Sequence, residues 1–438
     1  MKKQYLSLLE ELISFKSVST DKNFRGEINK TVNWLINLFD ENNLETKILK
    51  SNSTNPVVFA ETKTDLKETV IVYGHYDVQP ASKEEGWDGD PFMLSKSDGK
   101  LVGRGVVDNK GQFLIHVVTV LNLLKTKKLK FNVKFLIEGN EETSNPELKQ
   151  IIEDNVDLLK TDYILISDGE ISGNNPTIEA SFRGGFNMKV VLRTGKNNLH
   201  SGLYGGAVPN ASSELSKIIS KLFDDKGQVS FKDFYKNADT PTKKEVQNNQ
   251  SFPASEEEIL KLAGVTKIIT ENDTDFFTQT GLRPTLQITG LKSGYIEDGF
   301  ANIIPAVAEV RINARIVPSQ DPEKVYSSVK TFIENNTPDY VDLDFELDGP
   351  HEGIKFNLDT KLVDEAKELL EDIHQENVLF KNVGGAIPIV VDFKKVFGID
   401  ALSVSMGNDD CNMHGVNENF KINLIEKGLE FSKRFFSK

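Results

Sequence analysis

Cysteine is nearly absent: Cys411 is the only one in 438 residues. That excludes an internal disulfide framework and any CxxC metal site, and it fits a reducing compartment. Long apolar runs are missing too, since nowhere do about 18 consecutive apolar residues occur, the length a membrane span requires. There is no basic excess: Asp plus Glu outnumber Lys plus Arg by 66 to 52, a formal charge of -14. General nucleic-acid binding needs a basic face to displace counterions, so this balance argues against it. No targeting leader is legible either. Glu10 and Glu11 interrupt the first apolar run, while Tyr5, Leu8, Leu9, Leu12 and Ile13 recur at helical spacing, which predicts an amphipathic helix. The expectation is a cytoplasmic protein with no membrane or nucleic-acid partner.

What is present is a globular composition with length for two or three domains at roughly 150 residues each. Residues 1–181 alternate helix and strand patterns: a helix near Ile28–Phe39, strands at Val57–Ala60 and Thr69–Tyr73, a helix over Asn109–Leu124, then strands at Val133–Ile137 and Tyr163–Ile166. Apolar strands separated by helices predict an α/β fold, a mostly parallel mixed sheet sandwiched by helices. From about Phe182 the order becomes β-α-β-β-α-β: Met188–Arg193, Asn210–Phe223, Thr285–Thr289, Ala308–Ile316, Pro322–Glu334 and Val341–Leu347. That order predicts a separate α+β domain. It spans 182–349 and carries a polar stretch, 224–275, read as a surface insertion with one or two short helices. Residues 350–438 return to the first domain, so the second is inserted in it.

The chemistry-bearing residues stand directly after predicted strands, where open α/β sheets place their sites. His75 and Asp77 are two apart and point the same way on an extended backbone, so Asp77 is placed to accept the second ring N–H of His75. Asp108 precedes a helix within a glycine-rich loop, and by itself reads equally as a helix cap. Glu141 and Glu142 follow Ile137, and adjacent side chains on an extended segment face opposite ways, leaving two separate jobs. Asp168 follows Ile166, and His414 lies in an acidic segment near the C-terminus. Several carboxylates and imidazoles gathered at one sheet's strand ends need a compensating cation. Nitrogen and oxygen donors without thiolate favour zinc, with manganese or cobalt as alternatives. His116, His351 and His374 match no such pattern and read as structural or surface groups.

The motifs GHYDVQP (74–80), WDGDPF (87–92), GRGVVDNKG (103–111), EGNEE (138–142), SD (167–168), LHSGLYGG (199–206), NIIP (302–305), GGAIP (384–388) and HGVNE (414–418) occur in this order. The chain resembles the di-zinc metallopeptidase family of carnosinase, cytosolic dipeptidase, acetylornithine deacetylase, succinyl-diaminopimelate desuccinylase and glutamate carboxypeptidase, and within it the carnosinase and dipeptidase branch. The resemblance implies two metals bridged by Asp108, one completed by His75 and Asp168, the other by Glu142 and His414. It implies Glu141 as general base acting with a metal-bridging hydroxide, and Asp77 orienting His75. The inserted domain becomes a lid and dimerisation surface whose His200 stabilises the oxyanion, often across a homodimer. Arg315 matches the residue that binds the substrate carboxylate, and Asn302 and the 384–388 loop, with Gly385 and Ile387, match substrate contacts.

Charge bookkeeping agrees with these roles: two divalent cations against three ligand carboxylates and one hydroxide leave a neutral core, so a separate cation must hold a substrate carboxylate, and the guanidinium fork of Arg315 suits it. The expected activity is metal-dependent hydrolysis of the amide bond of dipeptides or short peptides with a free C-terminal carboxylate. An N-acyl-amino-acid deacylase on the same core is the alternative, and a non-catalytic peptide-binding relative a more distant one, since a binder has no use for Glu141. Three departures from the family bear on substrate choice: Ser144-Asn145 replaces the usual Gly-Ser, Gly169-Glu170 stands where asparagine usually follows Asp168, and the insertion 224–275 makes the lid larger than the family's minimal form.

Overall fold

Apolar side chains in the strands alternate between two faces, and each face finds its own cover. In the computed structural model, which describes residues 1–50, 53–385 and 387–438, nine strands form one mixed sheet. Its order is Leu44–Leu49, Val57–Thr62, Asn132–Glu138, Thr69–His75, Tyr163–Ile166, Ala401–Ser405, Thr177–Phe182 and Ile354–Lys355, with Leu379–Val383 also paired to Thr177–Phe182. The central strands, from Asn132–Glu138 to Ala401–Ser405, run parallel, and antiparallel strands flank them. Val70, Val72, Phe135 and Leu165 join the core under the helices Lys2–Ser14, Arg25–Glu41, Lys110–Lys125 and Ile422–Phe436. Ile71, Tyr73, Leu136 and Ile164 point the other way, into a core closed by Leu148–Asp154 and Ile389–Phe397. This period-2 partition is what burial on both faces of a parallel sheet demands.

A second sheet is antiparallel throughout, in the order Thr285–Ser293, Val307–Ile316, Gly184–Arg193, Asp342–His351. One face buries Met188, Val190, Ile312 and Ala314 against the helices Ala211–Leu222 and Pro322–Asn335. The other face carries Asn187, Asn313 and Arg315 and stays polar because it looks across a cleft toward the first sheet. The β-α-β-β-α-β order is as the sequence predicts.

The polar stretch after Phe223 is largely exposed, with two short helices, but it is not wholly a surface feature. It holds the helices Lys243–Gln250 and Glu256–Ala263, and the first is tied down. Asn248 donates to Phe380 O (2.6 Å) and accepts from Phe380 N (3.1 Å), so its amide replaces a neighbouring strand at that edge. Asn249 is buried and Phe252 stacks on Phe277. An asparagine amide can imitate the backbone's donor–acceptor pair, a role composition does not reveal. Five strands of the first sheet, Leu44–Leu49, Thr177–Phe182, Ile354–Lys355, Leu379–Val383 and Ala401–Ser405, also escape a sequence reading. Thr177–Phe182 contains Glu179, which looks solvent-facing yet is buried, accepting hydrogen bonds from Ser403 and Ser405. Among the described residues no helix is long and apolar enough to cross a membrane.

Candidate metal centre and active-site cleft

Three neighbouring parallel strands end on the same side of the sheet, one at His75 and the others just before Glu141–Glu142 and Asp168. Asp108 enters from the loop before Lys110–Lys125, and His414 from the segment after Ala401–Ser405. Two donor groups result. His75, Asp108 and Asp168 form one, and Asp108, Glu142 and His414 the other, the ligand atoms of each lying within 4.8 Å of one another. Asp108 belongs to both. Its Oδ1 is 3.1 Å from His75 Nε2 and its Oδ2 is 2.9 Å from His414 Nε2. Asp168 Oδ2 lies 3.5 Å from His75 Nε2, and Glu142 Oε2 lies 3.1 Å from His414 Nε2.

This arrangement fits a pair of cations. His75 Nε2 is buried and, among the described residues, makes no properly directed hydrogen bond, although two carboxylate oxygens are close. In each group the ligand atoms lie close enough to share one ion, and an all-nitrogen-and-oxygen set suits a divalent ion. Buried carboxylates and imidazoles crowd together here, and each shifts the protonation of its neighbours. Burial lifts the carboxyls of Glu141, Glu142 and Asp168 above their usual range, and neighbouring carboxylates add to it. Burial opposes protonation of His75, but Asp168, Asp108 and Asp77 raise it well above its ordinary value. Hydrogen bonds to Asp108 and Glu142 push His414 up to about 10.

Glu141 belongs to neither donor group yet lines the same cleft, a space of about 880 Å³. Arg315, Gly385 and Ile387 line it as well; Ala386, within the 384–388 motif, lies outside the described residues. His200 and Asn302 do not line it. They sit in the second domain, His200 paired with Ile303 across a two-stranded ladder, exposed, its Nδ1 accepting from Gly202 N (3.0 Å).

Asp77 departs from the expected geometry. His75 Nδ1 donates to the backbone carbonyl of Asp77 at 3.0 Å, while the carboxylate stands 3.5 Å away. The carboxylate accepts instead from the amides of Glu141 (Oδ1, 3.2 Å) and Glu142 (Oδ2, 3.2 Å). Asp77 thus orients His75 mainly through its main chain and fixes the paired glutamates through its side chain.

Several supports are invisible to a reading confined to ligands. Gln79 donates to Glu142 Oε2 (2.7 Å) and Asn109 to Asp168 Oδ1 (2.8 Å), each holding a carboxylate in place. Glu418 is fully buried; it accepts from Arg104 Nη1 (2.8 Å) and from the amides of Gly105 (2.9 Å), Val107 (2.9 Å) and Asp108 (3.1 Å). Arg104 also donates to His414 O (3.2 Å) and Gly415 O (3.1 Å). This holds the turn that places His414 at φ 61°, an uncommon region for a residue with a side chain. Arg104 and Glu418 both fall inside quoted motifs; their membership there was the available signal. His351, read from sequence as structural or surface, lines the cleft.

Comparison with known proteins agrees with this geometry. The profile described as peptidase family M20/M25/M40 matches residues 71–438. The chain is 27% identical over 457 residues to the Cys-Gly metallodipeptidase DUG1 of Candida albicans, covering 98% of this chain and 93% of the relative. It is 30% identical over 393 residues to the Beta-Ala-His dipeptidase of Homo sapiens, covering 87% and 77%. Among solved structures it is similar to the M20 family metallo-carboxypeptidase Sso-CP2 from Sulfolobus solfataricus, with a TM-score of 0.88, 27% identity, and 99% and 98% of the two chains covered.

Proposed function

This chain belongs to peptidase family M20/M25/M40, and on that footing we propose that it is a di-metal dipeptidase, cleaving the amide bond of dipeptides or short peptides that end in a free carboxylate. The observation that carries this reading is the pair of donor groups sharing Asp108, with Glu141 beside both and Arg315 across the same cleft. His75 and Asp168 would hold one ion, Glu142 and His414 the other, with Asp108 between them. When bound, two divalent ions, zinc by the donor chemistry, polarise the scissile carbonyl and make water acidic enough to lose a proton near neutral pH.

The chain's own groups do the rest. Glu141, anchored through its amide to Asp77, takes the proton of the attacking water on its carboxylate and returns it to the departing nitrogen. Arg315 fixes the substrate carboxylate with its planar fork, and burial depresses its own pKa. Gly385 and Ile387 form part of the substrate floor. Residues 182–349 act as a lid, and 1–181 with 350–438 as the catalytic body. Since His200 and Asn302 lie away from this cleft, a homodimer would bring them to a partner's substrate; the exposed Leu203, Tyr204, Ile296 and Phe300 near them suit such a surface.

The test is metal analysis together with hydrolysis of a dipeptide panel and of acetyl- and succinyl-amino acids, before and after chelation and after readdition of zinc, manganese or cobalt. Dipeptide turnover lost on chelation and restored by metal is the expected result. Turnover of acyl substrates alone would instead assign a deacylase.

A further inference from the structure

His351 is the feature of the cleft that the metal centre leaves unexplained. The lid sheet sets it opposite Arg315: Gly185, on the central strand, is the register partner of Arg315 on one side and of His351 on the other. Gly185 has no side chain. A Cβ there would stand 2.5 Å from Ala314 O and 3.5 Å from both Arg315 Cδ and His351 Cε1. The result is a notch floored by backbone, with a guanidinium on one wall and an imidazole on the other, opening on the cleft that holds Asp108 and Glu142.

The imidazole has one defined tautomer. Nδ1 lies 2.9 Å from Gly349 O, a group able only to accept, so Nδ1 carries the proton. Burial, reinforced by the Arg315 charge and opposed by the Gly349 contact, holds the ring below its usual pKa. Nε2 therefore presents a bare lone pair, and it is buried without any hydrogen-bond partner among the described residues. Buried polar atoms are seldom left unpaired, because each costs the desolvation of a lost hydrogen bond.

We propose that His351 is a substrate-binding residue whose Nε2 accepts a hydrogen bond from the amide N–H of the substrate's C-terminal residue. The inference rests on the reading of Arg315 as the carboxylate site. In such a residue the amide nitrogen and the carboxylate hang from the same Cα, so the groups that read them must be neighbours, as Arg315 and His351 are across Gly185. The notch then selects for a C-terminal residue with both a carboxylate and an N–H. A C-terminal proline, or an ester oxygen in place of N–H, leaves Nε2 unpaired.

The experiment measures kcat and KM for alanyl-alanine and for its ester analogue alanyl-lactate, with the metal-loaded protein and its His351→Phe, His351→Gln and Arg315→Met variants. His351→Phe should lower kcat/KM for the amide about 10- to 100-fold and for the ester less than about threefold. His351→Gln, whose amide oxygen can accept, should recover part of the loss. Arg315→Met should weaken both substrates alike. Equal losses on amide and ester in both His351 variants, or no loss on either, would overturn the inference while leaving Arg315 in place. An Arg315→Met variant with unchanged KM for both would remove the carboxylate site and this inference with it. The glutamine variant keeps the question answerable if the phenylalanine variant does not fold.

Discussion

Replacing Glu418 by glutamine changes one atom and no volume, yet the structure predicts a large effect. Oε2 of Glu418 receives Arg104 Nη1 and Gly105 N, while Oε1 receives Val107 N and Asp108 N. In Glu418→Gln, one of these positions becomes NH₂, a donor facing two donors. The Arg104 side chain, 3% exposed, is left as a buried cation without its counter-ion. Breaking a buried pair from one side costs roughly 3–5 kcal/mol, against about 0–1 kcal/mol for an exposed pair such as Lys100 with Asp410. The same loss loosens the loop that carries Asp108 and the turn that carries His414, so metal affinity should fall about 10- to 100-fold, as removal of an outer support does elsewhere. Urea unfolding of the metal-free protein reads the first quantity and calorimetric zinc titration the second. A Glu418→Gln protein within about 1 kcal/mol of wild type, binding metal undiminished, would refute the reasoning.

Other outcomes follow from the same structure. Glu141→Gln should retain both metals by elemental analysis but lose on the order of 100- to 10,000-fold in kcat; turnover at the wild-type rate would dismiss Glu141 as the base. His116 is buried between Ser432 Oγ (3.1 Å) and Ser167 Oγ (3.0 Å), and burial drives its pKa down to about 3. Its folded pKa lies below the unfolded value of about 6.5, so protonation favours the unfolded chain. The stability carried by the neutral ring is complete above that value and is lost as pH falls toward 3. The urea-midpoint gap between wild type and His116→Gln should accordingly shrink from pH 7 to pH 4.5, and a constant gap would contradict this. At Gly169 a Cβ would stand 2.2 Å from Glu179 Oε1 and 2.6 Å from Ser405 Oγ. Gly169→Ala should cost about 1–3 kcal/mol by overpacking and, by displacing Asp168, weaken binding at one metal position only; two equivalent, undisturbed metal sites would count against it.

Glycine at 169 then has a physical cause: Glu179 fills the space. Such reasons are long-range, and they separate what was legible from what was not. Strands such as Thr69–His75 and Tyr163–Ile166 could be read because burial on both faces of a parallel sheet requires continuous apolar runs. The two donor groups that could hold metal were legible because their members follow strand ends and fall within the ordered motifs. Leu44–Leu49 and Thr177–Phe182 lacked that pattern, the first a half-exposed edge strand and the second hiding a carboxylate satisfied by serines more than two hundred residues away.

The order of residues by itself determined the α/β body, the inserted β-α-β-β-α-β unit and the acids and imidazoles fit to bind metal, since periodicity and local spacing are properties of short segments. Only the folded chain decided that the Asp77 carboxylate serves the glutamates' amides, that Arg104 meets Glu418 across more than three hundred residues, and that Gly185 sets His351 beside Arg315. Those pairings are fixed by strand register and close packing between distant segments, and no local pattern records which side chains will face one another once the sheets have formed.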